Sequence, residues 1–292
     1  MSKLEEALSA GKFVVTSEVG PPKGVNIDKC LDDAESLKDR VTAFNVTDLQ
    51  SSVMRFGSLA TCRLLIDRGL EPILQMTCRD RNRLALQSDL LSAYGLGIRN
   101  VLCLTGDHQQ LGDHPQAKEV FDLDSVQLLA TAGTLQQGKD MAGNDLDGAP
   151  QFFLGAVVTP GADPLEPQIL KMEKKIEAGA QFFQTQAVYD TKKFKAFAKQ
   201  VAHIKVPIMA GLVILKSADM ARYMNANVAG VNVPDDLIEE LKKDKEKTKS
   251  GQTGVEIAIR IIEEIKDYCQ GVHLMALGWE DKIPAILDGA GL

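Results

Sequence analysis

Short apolar runs recur eight times along this chain, and an amphipathic stretch follows almost every one. The runs fall at 13–19, 43–48, 72–77, 100–106, 152–158, 182–187, 206–212 and 271–277. Each has the length of a strand and is bounded by Gly, Pro or Asp. Segments 28–38, 57–68, 83–94, 124–137, 165–178 and 192–202 carry apolar residues at helical spacing between them. After the seventh run come 218–224, 235–247 and 255–269, and a short last helix is expected at 280–288. Gly69, Gly95, Gly138 and Gly179 stand where helix-ending glycines belong. Eight strand–helix units in 292 residues predict a single (β/α)8 TIM barrel over residues 1–292, with extra helices after strand seven. A doubly wound open sheet is the competing architecture, since it buries similar runs.

Charge narrows the partners. The chain has 33 Lys and Arg against 40 Asp and Glu, a net charge of −7. An acidic surface without a basic block does not track nucleic-acid phosphates or anionic lipid. No apolar run approaches the roughly 20 residues of a membrane span. The first residues, MSKLEEALSAGKF, carry acids where a secretory leader needs an apolar core. A cytoplasmic location is therefore expected. Five scattered cysteines without a C-x-x-C pair read as reduced thiols, and four histidines without ligand spacing give no zinc site.

Several motifs fail on inspection. GTLQQGKD at 133–140 nearly spells a phosphate-binding loop, but it ends on Asp140 and closes a helix where such a loop opens one. No G-x-G-x-x-G follows a strand, and no G-x-S-x-G elbow is present. Asn45-Val46-Thr47 matches a glycosylation sequon inside an expected buried strand and is set aside. The charge run 242–251 reads as a solvated helix end and turn. Two long connections, 107–123 and 139–151, are candidates for functional or mobile loops.

In a barrel the C-terminal strand ends converge on one mouth, so polar groups closing apolar strands are informative. Glu18 closes the first strand, on one face with Val14 and Thr16, and is followed by Pro21 and Pro22. Half buried there, its carboxyl would have a raised pKa and act as a general acid. A loop carboxylate capping nearby backbone is the equal alternative. Asp107 closes strand four after Gly106, and an Asp opening a turn is the simpler reading. Gln184 and Gln186 share one face of strand six. Gln184 fits either an internal polar network or a ligand contact, whereas Gln186 is nearer the mouth. Thr47 and Asp48, Gln75 and Thr77, and Thr159 are further mouth residues. Lys174 and Lys175, on the helix before strand six, read as solvated surface.

These residues in this order resemble the methylenetetrahydrofolate reductase family. Glu18-x-x-Pro-Pro resembles its E-F-F-P-P, Thr105-Gly106-Asp107 its R-G-D, and the run 174–186 its K-x-D-A-G-A…T-Q. The likeness covers nearly the whole chain. It implies a flavin-bearing barrel that reduces 5,10-methylenetetrahydrofolate to 5-methyltetrahydrofolate by hydride transfer. Within that resemblance Glu18 is the acid that protonates N10, and Asp107 tunes the flavin and steadies the iminium cation. Gln186 binds the folate, and Thr47, Asp107, Lys174 and Lys175 contact the flavin. Gln75 and Thr159 fall on flavin-contacting positions where better-known members carry His and Tyr. Thr105 stands for the family's Arg, and Ala218 falls near a folate-stacking Phe. The acids persist while the flavin and nucleotide contacts drift. FAD is expected ahead of FMN, with electrons from NAD(P)H or from an iron–sulfur or flavin partner subunit, and a homo-oligomer is expected. Two rivals remain: a pterin-binding methyltransferase barrel, and a folate-binding subunit of an electron-transfer complex.

Overall fold

A computed structural model describes residues 1–247 and 251–292. Eight parallel strands close into a barrel in sequence order. They are β1 (Val14–Val19), β2 (Ala43–Val46), β3 (Pro72–Thr77), β4 (Asn100–Leu104), β5 (Phe153–Val158), β6 (Phe182–Ala187), β7 (Ile208–Val213) and β8 (Gly271–Met275). β1 pairs with β2 on one side and β8 on the other, with Thr16 opposite both Ala43 and His273. The open-sheet alternative is thereby excluded. Strands two, four and eight stop short of the apolar runs that announced them, because the last residues of those runs turn into the loops of the mouth, whereas β7 begins two residues later than its run and reaches Val213.

The helices are α1 (Lys3–Ser9), α2 (Asp28–Ser36), α3 (Ser58–Asp67), α4 (Arg83–Gly95), α5 (Ser125–Gln136), α6 (Glu166–Glu177) and α7 (Thr191–Gln200). After β7 follow α8 (Ala218–Asn227), α9 (Asp235–Lys247) and α10 (Gln252–Ile265), and α11 (Ile283–Gly289) ends the chain. The extra helices after β7 are as expected. Of the charge run, 242–247 continues α9, and 248–250 lie outside the described residues. Gly69, Gly138 and Gly179 take positive φ after their helices. Gly95 does not. α4 runs through it, and Gly97 takes the left-handed position at φ 94°. α1 was not foreseen. Its seven residues are too few for a periodic signal, but Ser2 and Glu5 form a reciprocal capping box at its start.

Inward side chains stack in three levels. At the bottom Leu4 of α1 packs with Val14, Ala43, Ile73, Leu102, Phe153, Phe182 and Met209. Phe153 and Phe182 stack at 4.9 Å between centroids. Gly155 leaves the space their rings need, since a Cβ there would lie 2.2 Å from Phe182. Above is a polar level. Asn45 and Gln184 exchange side-chain hydrogen bonds of 2.7 and 3.0 Å, Gln184 reaches Thr16 Oγ1 at 3.4 Å, and Thr16 meets His273 Nδ1 at 3.0 Å. Gln184 is thus satisfied inside the barrel, as an internal network requires. Burial pushes the His273 ring down to about 4, so it is neutral near pH 7. The third level, carrying Glu18, Thr47, Gln75 and Gln186, is the mouth.

Candidate active site at the barrel mouth

Glu18 ends the inward face of β1 where the apolar wall gives way to a cavity of about 670 Å³. Gly20, Pro22, Gln50, Arg55 and Glu280 share its lining with Cys30, Asp33 and Ala34 of α2, and Thr47, Gln75 and Gln186 do not line it. Burial raises the Glu18 carboxyl to about 7, Gln50 and Arg55 partly oppose the shift, and Glu280 adds to it. Among the described residues the one hydrogen bond to the carboxyl comes from Gln50 Nε2, at 3.3 Å. A carboxyl poised near 7 holds or releases a proton at neutral pH, which is what a general acid needs.

Asp107 follows β4, and its carboxylate is exposed with no partner among the described residues. Its backbone is held instead. Asp107 O accepts from Ser52 Oγ and from Arg79 Nη1, both at 3.1 Å. Gly106 before it stands at φ 97°, and a Cβ there would press on Thr77 and Arg79 at 3.1 and 3.2 Å. The long loop after β4 is tied to its neighbours. Asp113 pairs with Lys23 from the loop after β1 and accepts from Met54 N, at 3.2 Å, from the loop after β2. Asp107 does not line the Glu18 cavity; the two acids are connected through the 48–52 loop, which meets both.

That loop has its own scaffold. Asp48 is buried and accepts from Thr77 N and Oγ1, each at 2.9 Å, and from Arg81 through both oxygens at 2.7 and 3.1 Å. Burial works to raise the Asp48 carboxyl, but Arg81 and Thr77 outweigh it and hold it below its ordinary range. Leu49, Ser51 and Ser52 all take positive φ.

The remaining expected residues divide. Thr47 is buried, and its Oγ1 has no partner among the described residues. Gln75 is half buried on the inward face of β3, and its side chain has no hydrogen-bond partner among the described residues. Gln186 sits at a register shift in β6; its Oε1 accepts from Ala187 N at 2.9 Å, leaving Nε2 unpaired among the described residues. Thr159 packs under the loop after α8, where a Cβ on Gly230 would strike its methyl at 2.1 Å. Lys174 lines a second, more open cavity of about 710 Å³ with Thr105, Gly106, His108 and Asp124. Lys175 does not join it. Its Nζ lies in the barrel wall, donating to Val157 O at 2.6 Å, and burial together with Lys171 lowers it to about 8. The expected basic pair is one cavity lysine and one wall lysine. α6 is helical throughout these positions, so adjacent residues point about 100° apart and cannot share a target.

A flavin needs donors near its ring and a cation near its tail. The orphaned Thr47 hydroxyl, the left-handed Gly106 and the Lys174 cavity fit such a group. Sequence reasoning missed Gln50, Arg55 and Arg79. The cluster Arg79-Asp80-Arg81 directly after β3 was the available signal for the last.

A closed parallel barrel that carries a carboxyl raised to about 7 at a strand end, beside a cavity, has the frame of a barrel enzyme. A family model described as methylenetetrahydrofolate reductase matches residues 3–291, and the chain belongs to that family. It is 28% identical over 291 residues to methylenetetrahydrofolate reductase 2 of Schizosaccharomyces pombe, covering 88% of this chain and 43% of that protein. It is 25% identical over 273 residues to the 5,10-methylenetetrahydrofolate reductase of Pectobacterium carotovorum, covering 88% and 85%. The chain spans half or less of the eukaryotic relatives it matches from fission yeast, Caenorhabditis elegans and rice. Among solved structures, an uncharacterized protein from Clostridium thermocellum that binds two copies of 5-methyl-5,6,7,8-tetrahydrofolic acid superposes with a TM-score of 0.66. It is 17% identical, with 99% of this chain and 98% of that one covered, a likeness of fold. No helix among the described residues is long and apolar enough to cross a membrane.

Proposed function

We propose that residues 1–292 act as one catalytic unit, a methylenetetrahydrofolate reductase that converts 5,10-methylenetetrahydrofolate to 5-methyltetrahydrofolate. The observation that carries this is the Glu18 carboxyl, raised to about 7 by burial at the end of β1, in a chain whose family reduces this substrate.

Bound flavin supplies the hydride. Thr47, Gln75, Gly106 and Thr159 would meet its ring side and Lys174 its phosphate. The rest falls to this chain's own side chains. Protonated Glu18 delivers its proton to N10 of the folate, so the five-membered ring opens toward the N5 iminium. The Gln50 bond favours the carboxylate that remains. Asp107, exposed and without a side-chain partner among the described residues, offers its carboxylate to the iminium cation when substrate arrives. Gln186, with Oε1 occupied, offers Nε2–H to the acceptor edge of the pterin. The protein acts in the cytoplasm, as a homo-oligomer, and draws its electrons from NAD(P)H or a partner redox subunit.

The test is direct. The purified chain is loaded with FAD or FMN, reduced with viologen, and given methylenetetrahydrofolate. Formation of 5-methyltetrahydrofolate is expected, with at least a hundredfold loss in Glu18→Gln. A chain that binds neither flavin, or a Glu18→Gln variant of unchanged rate, would overturn the assignment.

A further inference from the structure

Arg79 is the most thoroughly engaged side chain near the mouth, yet it touches neither cavity. It is 1% exposed. All five of its N–H groups are used. Nε and Nη2 donate to Asp80 at 3.0 and 2.7 Å. Nη1 donates to Ser52 Oγ at 2.8 Å and Asp107 O at 3.1 Å, and Nη2 to Leu49 O at 3.2 Å. The last three targets are on the loop after β2 and the loop after β4.

We propose that Arg79 is a positioning residue that sets both acids of the site from behind, Glu18 through the 49–52 loop and Asp107 through its backbone. Leu49, Ser51 and Ser52 stand at φ 48°, 55° and 59°, a conformation that non-glycine residues leave unless something holds them. Arg79 grips that loop at both ends, on Leu49 O and Ser52 Oγ. Gln50 lies between those two points, and it is the residue whose Nε2 reaches Glu18. The same guanidinium, with Ser52, fixes Asp107 O, so the direction in which the Asp107 carboxylate leaves the loop is set by the same group. The rigid, planar fork is what this needs: its five donors fan out in one plane and reach three acceptors in two loops and a carboxylate. Lysine keeps the charge but offers three donors from one nitrogen and cannot span them.

The roles of the two acids rest on the function proposed above; the placing of Glu18 by Arg79 is measurable without turnover. Protein labelled with 13C at the glutamate carboxyl is titrated by NMR, with Glu18→Gln identifying the resonance. Because the Gln50 bond holds the Glu18 pKa down, Arg79→Lys is expected to raise its midpoint by roughly half a unit or more. Gln50→Leu is expected to give the same rise, and the double variant no more than either alone. Ser52→Ala, which leaves the guanidinium in place and removes one of its handles, is expected to shift the midpoint the same way by a smaller amount. In turnover, Arg79→Lys is expected to lower kcat with little change in KM and to move the alkaline limb of the rate profile upward with the midpoint. If Arg79→Lys folds and leaves the Glu18 midpoint at the wild-type value, or if Arg79→Lys does not fold and Ser52→Ala leaves it there, the inference is overturned. A shifted midpoint in a chain that never forms 5-methyltetrahydrofolate would sink the proposed function and leave the positioning role standing.

Discussion

Gln50 Nε2 lies 3.3 Å from Glu18 Oε1, and the contact joins the end of β1 to the loop after β2, between residues 32 apart in the chain. Among the described residues it is the one hydrogen bond to a carboxyl that burial has already brought to about 7. The balance between the two determines how much of the site carries a proton at neutral pH. Burial favours the acid form that must deliver the proton, and the amide favours the base form left behind.

That balance predicts a one-sided pH profile. If Glu18 must be protonated, kcat/KM is level below about 7 and falls tenfold per unit above it. Glu18→Gln is expected to lose roughly 10²–10⁴ in rate, and the residual rate is expected to lose the alkaline limb. Steady-state rates between pH 5.5 and 9 check both. A limb that survives in the variant would mean another group carries the proton.

The same carboxyl predicts a stability effect of opposite sense to its catalytic value. Its folded pKa is raised from 4.5 to about 7, so the folded state binds the proton more tightly. Its contribution is fully present below 4.5 and is lost as pH rises through 7. Glu18→Gln removes the buried charge at high pH. The variant is therefore expected to be more stable than the wild type at pH 8, by roughly 1–3 kcal/mol, with the gain fading between pH 7 and 4.5. His273, lowered from 6.5 to about 4, contributes stability above 6.5 that is lost as pH falls toward 4. The two slopes oppose each other between about 4.5 and 6.5, so the wild type is expected to be nearly flat there and the Glu18→Gln variant to weaken toward acid. Urea unfolding across this range decides it.

The barrel was legible because each strand is buried on both faces and therefore reads as an apolar run. Glu18 was legible for the same reason, as an acid closing such a run. Gln184 gave two readings from sequence, and the network with Asn45 and Thr16 chose between them. Gln50 was not legible, and Arg79 showed only as part of a charged cluster after β3, without its partners. Their partners lie 32 residues away for Gln50 and from one to 30 away for Arg79, and no periodicity connects residues across loops. Gly95 and Gly97 offered two stops for one helix, and only the backbone at Gly97 turns left-handed. Lys174 and Lys175 look alike in a string of letters; the rotation of α6 separates them.

Thr47 provides a test of the flavin site that does not depend on turnover. Its Oγ1 is buried and unpaired among the described residues. Thr47→Val keeps the shape and removes a hydroxyl that bonds nothing, so stability is expected to hold or rise slightly. Flavin affinity is expected to fall by up to about tenfold, the worth of one hydrogen bond. Fluorescence titration of the apoprotein with flavin measures it. An unchanged affinity would remove Thr47 from the cofactor's contacts.

The two lysines of α6 are separable in the same assay. Lys174 is exposed on the second cavity, whereas Lys175 donates to Val157 O inside the wall. Lys174→Ala is expected to weaken FMN or FAD binding several-fold, leave riboflavin binding alone because riboflavin has no phosphate, and change stability by less than about 0.5 kcal/mol. Lys175→Ala strips a buried carbonyl of its donor and opens the wall, so it is expected to cost roughly 1–3 kcal/mol of stability. Its flavin affinities are expected to move together, with and without phosphate, as the wall relaxes. A Lys175 variant of wild-type stability that discriminates FMN from riboflavin as sharply as the Lys174 variant would show that the amine leaves Val157 for the phosphate when flavin binds. The basic pair would then act jointly, as the family resemblance first implied.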